Sequence, residues 1–309
     1  MRVSVESLTP HQKTALVVLY QRAKESRRPD GKIKDHWAEE MVDLLDYDFS
    51  ELDADARGQS GIVTRARIFD RETAKFVATH PDATIVNLGA GLDTRFFRVD
   101  NGKIRWVDVD LPEMIELRRQ FLRTSERLTF VSRSVLDCRW MQMVPRESPL
   151  LIIVEGLLIY FDEHDVKALF RNIADHFPKA EVLLDAGSPM SLRAQMPGID
   201  LQLTPFKWGV SSIAELENWD SRIGFEEEWF FQDMLPEGGN ILADMFGLML
   251  RPDASGSLPE AEPSITRFSR DTATEEDRAT LLDRLQIGIA WRLRRINSAL
   301  HEAPGCRSP

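Results

Sequence analysis

The hydrophobic positions of the chain follow two different periods, and the change falls near residue 80. Before it they recur at three- to four-residue spacing, as in the stripe from Leu16 to Ala23, which is typical of an amphipathic helix. The turn signal Pro29-Asp30-Gly31 ends that stripe. The same spacing predicts a short helix over His36 to Leu45 and a third from about Gly61 to Thr79.

After residue 80 the pattern changes to short, continuously apolar, β-branched runs. Five runs predict strands: Thr84–Leu88, Ile104–Val109, Leu128–Val135, Leu150–Val154 and Ala180–Leu184. Helical patterns over Pro112–Leu122 and Glu163–His176 lie between some of them. Apolar strands alternating with helices predict a mostly parallel sheet covered on both faces, that is, a doubly wound α/β domain.

The alternation stops at Gly187. We expect insertions at about 188–222 and 232–270, a strand over Phe225–Phe231, and a loop over the Pro/Gly/Ser-rich residues 251–264. Glu275–Leu285 predicts a helix, whereas Ile287–Leu300 fits a continued helix or a final strand equally well. The pattern as a whole predicts a helical N-terminal extension, 1–80, that packs on one core domain, 81–309.

Composition narrows the classes of partner. The chain has 309 residues and a formal net charge of -11, and no basic face is visible, so we expect no nucleic-acid partner. The N-terminus has no apolar signal region, and the most apolar run, residues 149–161, is too short to span a bilayer. Two distant cysteines, Cys138 and Cys306, exclude a framework of disulfides and a cysteine zinc site. Together these features favour a cytoplasmic protein without a membrane partner.

The first predicted strand leads into a glycine turn, in the stretch TIVNLGAGLDTR (84–95). Gly89 and Gly91 let the backbone adopt positive φ and let a ligand approach the main chain. The dinucleotide fingerprint would need a third glycine at position 94, where Thr94 stands. A turn without this glycine is less suited to a pyrophosphate held on a helix N-terminus.

Carboxylates end two of the predicted strands. Asp110 lies 21 residues after Gly89, where an acidic residue meets a ribose diol in such folds, although a helix N-cap explains it too. Asp108 lies on the same side of that strand and is a weaker candidate. Glu155 follows four apolar residues, so its charge needs a partner, either a ligand or a structural ion pair. Tyr160 is a candidate for the same crevice or for the core, and His164 fits the first turn of a helix better than a catalytic role.

The segments VNLGAGLDTRFFR, VDVDLP and IIVEGLLIYF, in this order, together with the opening YQRAKESRRPDGKIKDHWA, resemble a known family. It is the leucine carboxyl methyltransferase-like branch of the class I S-adenosylmethionine-dependent methyltransferases, and the pattern is most similar to bacterial polyketide O-methyltransferases of the tetracenomycin type. The resemblance covers residues from about 16 to 186. It implies a Rossmann-like fold with a lid after the fifth strand of the core.

The resemblance also implies a cofactor, S-adenosyl-L-methionine, with S-adenosyl-L-homocysteine as product, and roles for residues at matching positions. Arg65 would bind the methionine carboxylate, although a solvated helix arginine is the alternative. The turn Gly89-Ala90-Gly91 would line the methionine and ribose, and Asp110 with its neighbour Leu111 would meet the ribose. Asp137 would meet the adenine amino group or merely cap a turn, and Glu155 would meet the cofactor ammonium or the acceptor.

The expected function is therefore methyl transfer to oxygen of a small molecule, a carboxylate or an acidic hydroxyl of a polyketide-like metabolite. A protein C-terminal carboxyl methyltransferase and a non-catalytic cofactor-binding regulator are the alternatives, with a nicotinamide dehydrogenase more distant. No general base is evident and no metal site or Ser-His-Asp triad is predicted, so no catalytic residue is assigned. The residues Met190, Met196, Phe206, Trp208 and Trp219 predict either an acceptor pocket or simple packing. Nothing in the sequence predicts an oligomeric state.

Overall fold

The computed structural model describes residues 2–52, 56–145, 148–187, 205–210, 212–230 and 288–294. Its helices are α1 (Pro10–Arg27), α2 (His36–Leu44), α3 (Ala56–Thr79), α4 (Arg95–Val99), α5 (Pro112–Phe121) and α6 (Glu163–His176). Its strands are β1 (Val3–Ser4), β2 (Leu45–Asp46), β3 (Thr84–Leu88), β4 (Arg105–Asp110), β5 (Leu128–Ser132), β6 (Leu150–Val154), β7 (Glu181–Leu184), β8 (Gly224–Phe230) and β9 (Gly288–Arg294).

Seven of these strands form one sheet in the order β5-β4-β3-β6-β7-β9-β8. The five strands β3 to β7 pair in parallel, and β9 runs antiparallel to both of its neighbours, β7 and β8. The chain order reverses between β3 and β6, which are adjacent at the centre. Ligands of doubly wound sheets bind outside the carboxyl ends of the strands at such a reversal. The predicted α/β class is confirmed.

The two faces of the sheet are both buried, because successive strand residues alternate between them. On one face Ile85, Leu151, Ile153 and Leu183 pack with residues of α1, α3 and α5. On the other face Val86, Ile152, Val154 and Leu184 pack with α6 and with the 3₁₀ helix Cys138–Met143. This explains why the core strands read as uninterrupted apolar runs in the sequence.

The N-terminal helices are where the periodicity places them, and α1 begins at a well-defined cap. Thr9 and Gln12 form a capping box, with Pro10 in the first helical turn, where its missing N–H is not needed. Residues of α1, α2 and α3 share one hydrophobic cluster with the sheet. The small parallel pair of β1 with β2 has no signal in the hydrophobic pattern, since each strand has two residues. The division of the chain at residue 80 stays a prediction.

Some of the predictions for the C-terminal part concern residues that the structure describes. Gly224–Phe230 is a strand, and residues 288–294 form β9, so the undecided segment contains a strand. Trp208 is buried and Trp219 partly buried against α6, with their ring centroids 6.0 Å apart, so these two tryptophans pack the core. The predicted helix Glu275–Leu285, the loop 251–264, Met190 and Met196, and most of the expected insertions at 188–222 and 232–270, lie outside the described residues.

Cys138 is buried in the hydrophobic cluster that packs against α6. Within the described residues, no helix combines the length and the apolar character that crossing a membrane requires.

Candidate functional site

The glycine turn after β3 lies at the carboxyl edge of the sheet. Gly89 and Gly91 have φ of 66° and 48°, in the left-handed region that side chains disfavour. A Cβ on Gly89 would lie 2.8 Å from Cδ1 of Leu157, and one on Gly91 would lie 3.3 Å from Cβ of Ala15. The two glycines therefore let the turn approach both the segment after β6 and helix α1.

Asp110, at the end of β4, faces this turn. One of its carboxylate oxygens accepts from the Gly91 N–H at 2.6 Å and the other from the Leu111 N–H at 2.7 Å. Burial raises the pKa of the Asp110 carboxyl, and the two N–H donors counteract that rise. Each oxygen keeps further acceptor capacity. The alternative of a helix N-cap is not what the contacts show, because Leu111 occupies that position of α5 and no side chain caps it.

Asp108 lies deeper in the sheet and is engaged by protein groups. Its oxygens accept from Asn87 Nδ2 at 3.3 Å, from Trp106 Nε1 at 2.8 Å and from Arg118. Arg118 also donates to the carbonyl oxygens of Gly91 and Asp93, at 2.9 and 2.8 Å. Asp108 is thus connected to the turn through Arg118. Its side chain is 1% exposed.

Thr94, which stands where a third glycine was missing, ties the turn to the N-terminal helices. Its hydroxyl lies 2.6 and 2.8 Å from the two oxygens of Asp35, the N-cap of α2. Asp35 also accepts from Arg22 of α1 at 3.0 Å and from Arg98 of α4 at 2.8 Å. Burial opposes ionisation of Asp35, but Arg22 and Arg98 hold its pKa below the ordinary value.

Asp93 belongs to the same set, which we call the turn network (Arg22, Asp35, Asp93, Thr94 and Arg98). Its carboxylate accepts from Asn87 at 3.2 Å and from Arg95 at 2.6 Å. Although Asp93 is largely buried, Arg95 and Arg98 hold its pKa well below the ordinary range. Contacts within the protein therefore account for both Asp93 and Arg95.

A second set of charges gathers at the carboxyl ends of β6 and β7. Arg65 of α3 donates from Nε to Glu155 and from Nη1 to Asp185, both at 3.0 Å. Asp185 also accepts from the Gly156 N–H at 2.6 Å. Burial raises the pKa of Asp185 to about 6, against the opposing effect of Arg65. We call Arg65, Glu155 and Asp185 the edge cluster.

Arg95 joins the two sets. Its guanidinium is 1% exposed and bonds Asp70 at 2.7 Å, Asp93 at 2.6 Å and Glu155 at 2.6 Å. Glu155 therefore has arginines on two sides, and these contacts are those of the structural ion pair. The remaining Nη2 group of Arg65 faces Gly156, where a Cβ would lie 3.2 Å from it.

Asp137 lies apart from these contacts, after β5. Its carboxylate accepts from the backbone N–H of Arg139 at 3.1 Å and caps the 3₁₀ helix Cys138–Met143. The Arg139 guanidinium, with Arg133 in addition, holds the pKa of Asp137 well below its usual range. The contacts in the structure are those of the capping alternative.

Aromatic rings lie next to the edge cluster. The His11 ring of α1 meets the Tyr160 ring edge-on, with centroids 4.1 Å apart, and Phe206 contacts Tyr160 at 5.6 Å. Burial raises the pKa of Tyr160, while the Thr14 hydroxyl and Arg65 lower it, which places this phenol near both α1 and Arg65. His164, in contrast, is 83% exposed at the start of α6.

Sequence reasoning missed three of these residues for different reasons. Asp185 ends a strand just as Glu155 does, in LLDAG, so the same rule could have found it. Asp35 precedes a helix and carries an N-cap signal, but nothing local pairs it with Thr94. His11 had no signal beyond its place after Thr9-Pro10, a helix start.

The arrangement has the donors and acceptors that S-adenosyl-L-methionine requires. Asp110 offers carboxylate oxygens at a glycine turn, where ribose hydroxyls can donate. Arg65 keeps N–H donors for a carboxylate, and Glu155 and Asp185 provide negative charge for an ammonium. The residues present fit this molecule.

Comparison with known proteins identifies the family of this chain. The family model of leucine carboxyl methyltransferase matches residues 15–174. The chain is 34% identical over 229 residues to a tetracenomycin polyketide synthesis O-methyltransferase of Streptomyces glaucescens, covering 73% of this chain and 85% of that protein. The chain belongs to the leucine carboxyl methyltransferase family. This methyltransferase is also 28% identical over 257 residues to an S-adenosyl-L-methionine-dependent methyltransferase, dpfgK, of Gibberella zeae, covering 72% and 83% of the two chains.

Two solved structures share the fold of this methyltransferase. A proposed methyltransferase of Thermobifida fusca superimposes with a TM-score of 0.51 at 14% identity, covering 91% of this chain and 94% of that one. A DUF574 family protein of Streptomyces avermitilis gives 0.51 at 13% identity, covering 91% and 97%. The predicted class I methyltransferase fold is confirmed, and so is S-adenosyl-L-methionine, by the family and its named relatives.

Proposed function

We propose that this methyltransferase transfers a methyl group to an oxygen of a small aromatic metabolite of the polyketide type. The observation that carries the proposal is the aromatic surface formed by His11, Tyr160 and Phe206 beside the carboxyl ends of β6 and β7. Rings pack on rings with an energy of about 0.5–1.5 kcal/mol beyond the apolar area buried. A flat, unsaturated acceptor suits this surface better than a charged peptide end.

The cofactor would occupy the other half of the crevice, over β3 and β4. In this proposal Gly89, Ala90 and Gly91 line its methionine and ribose, Asp110 accepts from the ribose hydroxyls, and Leu111 packs beside them. Arg65 holds the methionine carboxylate and Glu155, with Asp185, balances the ammonium. Asp108 supports the turn from below, and Asp137 shapes the loop after β5, where the adenine would lie.

The N-terminal residues close this crevice. Ala15 of α1 lies against the position of a Gly91 side chain, and Gln12 donates to Glu113 of α5 at 3.3 Å. Since His11 and Ala15 are four residues apart, both lie on one face of the helix. We therefore propose that residues 1–80 act as an extension that completes the acceptor side of a core domain, 81–309.

The bound cofactor supplies a methyl group that is already activated as a sulfonium. The protein's contribution is to hold the acceptor oxygen in line with that group and to exclude water, for which proximity alone can supply several kcal/mol. A carboxylate acceptor is ionised at neutral pH and needs no base, whereas a hydroxyl acceptor does. The name of the Streptomyces glaucescens relative supports an O-methyl product in polyketide synthesis.

The decisive experiment is an acceptor panel with methyl-labelled S-adenosyl-L-methionine. We expect label in organic-soluble products with hydroxylated naphthalenes or anthraquinone carboxylic acids, and none with a peptide ending in a free leucine carboxylate. Base-labile label on the peptide and none on the aromatic compounds would contradict the proposal and favour a protein carboxyl methyltransferase. Retention of label after mild alkali separates an ether product from an ester.

A further inference from the structure

The first turn of α1 presents a histidine to the acceptor side of the crevice. His11 directly follows Pro10, and the capping box of Thr9 and Gln12 fixes that turn. The Gln12 backbone N–H donates to the Thr9 hydroxyl at 3.3 Å, and the Gln12 side chain accepts from the Thr9 N–H at 2.9 Å. The Gln12 side chain also donates to Glu113 of α5. Gln12, the residue after His11, therefore attaches this turn to the core, and the His11 side chain is not needed for that attachment.

The His11 ring is held by packing alone. It meets the Tyr160 ring edge-on at 4.1 Å, and within the described residues neither of its ring nitrogens has a hydrogen-bond partner. A histidine used only for packing or capping normally places at least one nitrogen against a protein acceptor. A half-buried imidazole with both nitrogens free is able to take a proton from a ligand.

Burial keeps this imidazole neutral. Burial lowers the pKa of His11, so at neutral pH one ring nitrogen carries a hydrogen and the other has a lone pair that can take a proton. The ionisable group that faces it is Tyr160, and Arg65 and Asp185 of the edge cluster act on Tyr160 from beyond it. Burial raises the pKa of Tyr160, so the phenol stays neutral as well.

We infer that His11 is the general base of the reaction and that its acceptor is a neutral aromatic hydroxyl packed against Tyr160 and Phe206. This inference rests on the proposed function and selects the hydroxyl among its acceptors. The acceptor O–H bond breaks as its proton passes to a ring nitrogen of His11. The oxygen forms its bond to the methyl carbon while the carbon–sulfur bond breaks, and that electron pair stays on sulfur. The imidazolium then releases its proton to water.

The test compares His11→Gln with His164→Gln, a matched change at an exposed histidine. The acceptors are para-methoxyphenol, which is neutral in the assay, and para-nitrophenol, which is largely ionised. For the neutral phenol we expect kcat to fall about 10²- to 10⁴-fold in His11→Gln, the range typical of a lost general base, with little change in KM. The acidic limb of the wild-type pH profile should disappear, and the loss for the ionised phenol should be about tenfold or less.

Binding readouts make the result independent of turnover. We expect calorimetry to give the same affinity for S-adenosyl-L-homocysteine in both variants. The ring C–H resonance of His11, assigned by its absence in His11→Gln, should shift when para-methoxyphenol is added to the wild-type complex with that product. An equal loss of kcat for both phenols, or a resonance that does not respond, would overturn the role of His11. If neither phenol is methylated nor shifts the resonance, the inference fails; if the wider panel also gives no product, the proposed function fails with it.

Discussion

The turn network and the edge cluster both contain arginines paired with carboxylates, but they differ in how far these groups are exposed to a ligand. In the turn network, Asp35 is 2% and Thr94 1% exposed, and they contact each other and two arginines. In the edge cluster, Arg65 is 22% exposed and donates to two carboxylates, one of which has a pKa raised to about 6. Buried charges need partners, and a set that has found them inside the protein is structural. A set that is paired but still open at a crevice is able to exchange a partner for a ligand.

The largest effect expected from this contrast is on stability, at Asp35. Replacing Asp35 with Asn removes the charge between Arg22 and Arg98 and should lower the free energy of unfolding by about 3–5 kcal/mol. Chemical denaturation measures this. Asp43→Asn is the control, because Asp43 is 69% exposed and its ion pair among the described residues is with Arg27, and it should cost about 1 kcal/mol or less.

The folded Asp35→Asn protein should still bind S-adenosyl-L-homocysteine within about tenfold of the wild type, a difference of about 1.4 kcal/mol. Unchanged stability combined with a far larger loss of affinity would show that the turn network is part of the ligand site, and the contrast would be wrong.

The next largest effect is on binding, at Gly91. Valine there must adopt a φ of 48° and places its Cβ 3.3 Å from Ala15, so the turn and α1 have to separate. We expect the affinity for S-adenosyl-L-homocysteine, measured by calorimetry, to fall about 100-fold or more, equivalent to about 2.7 kcal/mol.

Gly102→Val is the matched control for Gly91. Gly102 also has positive φ, at 80°, but no atom lies within 4 Å of its would-be Cβ. It should show a similar backbone strain of about 1–3 kcal/mol in stability with unchanged binding. Equal affinities in the two variants would remove the turn from the cofactor site.

The smallest effect is the pH dependence of Asp185. Its pKa in the folded protein, about 6, lies above the ordinary 3.8, so its contribution to stability is fully present below 3.8 and is lost as the pH rises through 6. Relative to Asp185→Asn, the wild-type free energy of unfolding should therefore rise by about 1–3 kcal/mol as the pH falls from about 7 to about 4.

Denaturation of both proteins across this pH range gives the difference, and Asp162→Asn, at an exposed position before α6, controls for general pH effects. A difference that falls with decreasing pH would mean that Arg65 keeps Asp185 fully ionised. The edge cluster would then be as tightly paired as the turn network.

The sequence predicted the parts that depend on neighbouring residues. The strands Thr84–Leu88 and Leu150–Val154 and the helix Glu163–His176 have the bounds that hydrophobic runs and caps predicted. Their alternation was sufficient for the fold class, because a parallel sheet with two buried faces leaves continuous apolar strands.

Pairings between distant residues could not be predicted in the same way. Arg65 and Glu155 are 90 residues apart in the chain, and Thr94 and Asp35 are 59 apart. A charged residue in a sequence does not reveal whether it is buried or which partner it has. That is why Thr94 was interpreted only as a missing glycine, and why nothing in the sequence paired it with Asp35.

The position of α1 has a consequence for how this enzyme can diversify. In the proposed function its first turn contributes His11 to the acceptor side, whereas the turn network holds the rest of the extension through Arg22 and Asp35. Residues 9–14 can therefore vary without disturbing the charges that shape the glycine turn. In that proposal, a few substitutions near the amino terminus change the acceptor preference and leave the methyl-donor half as it is.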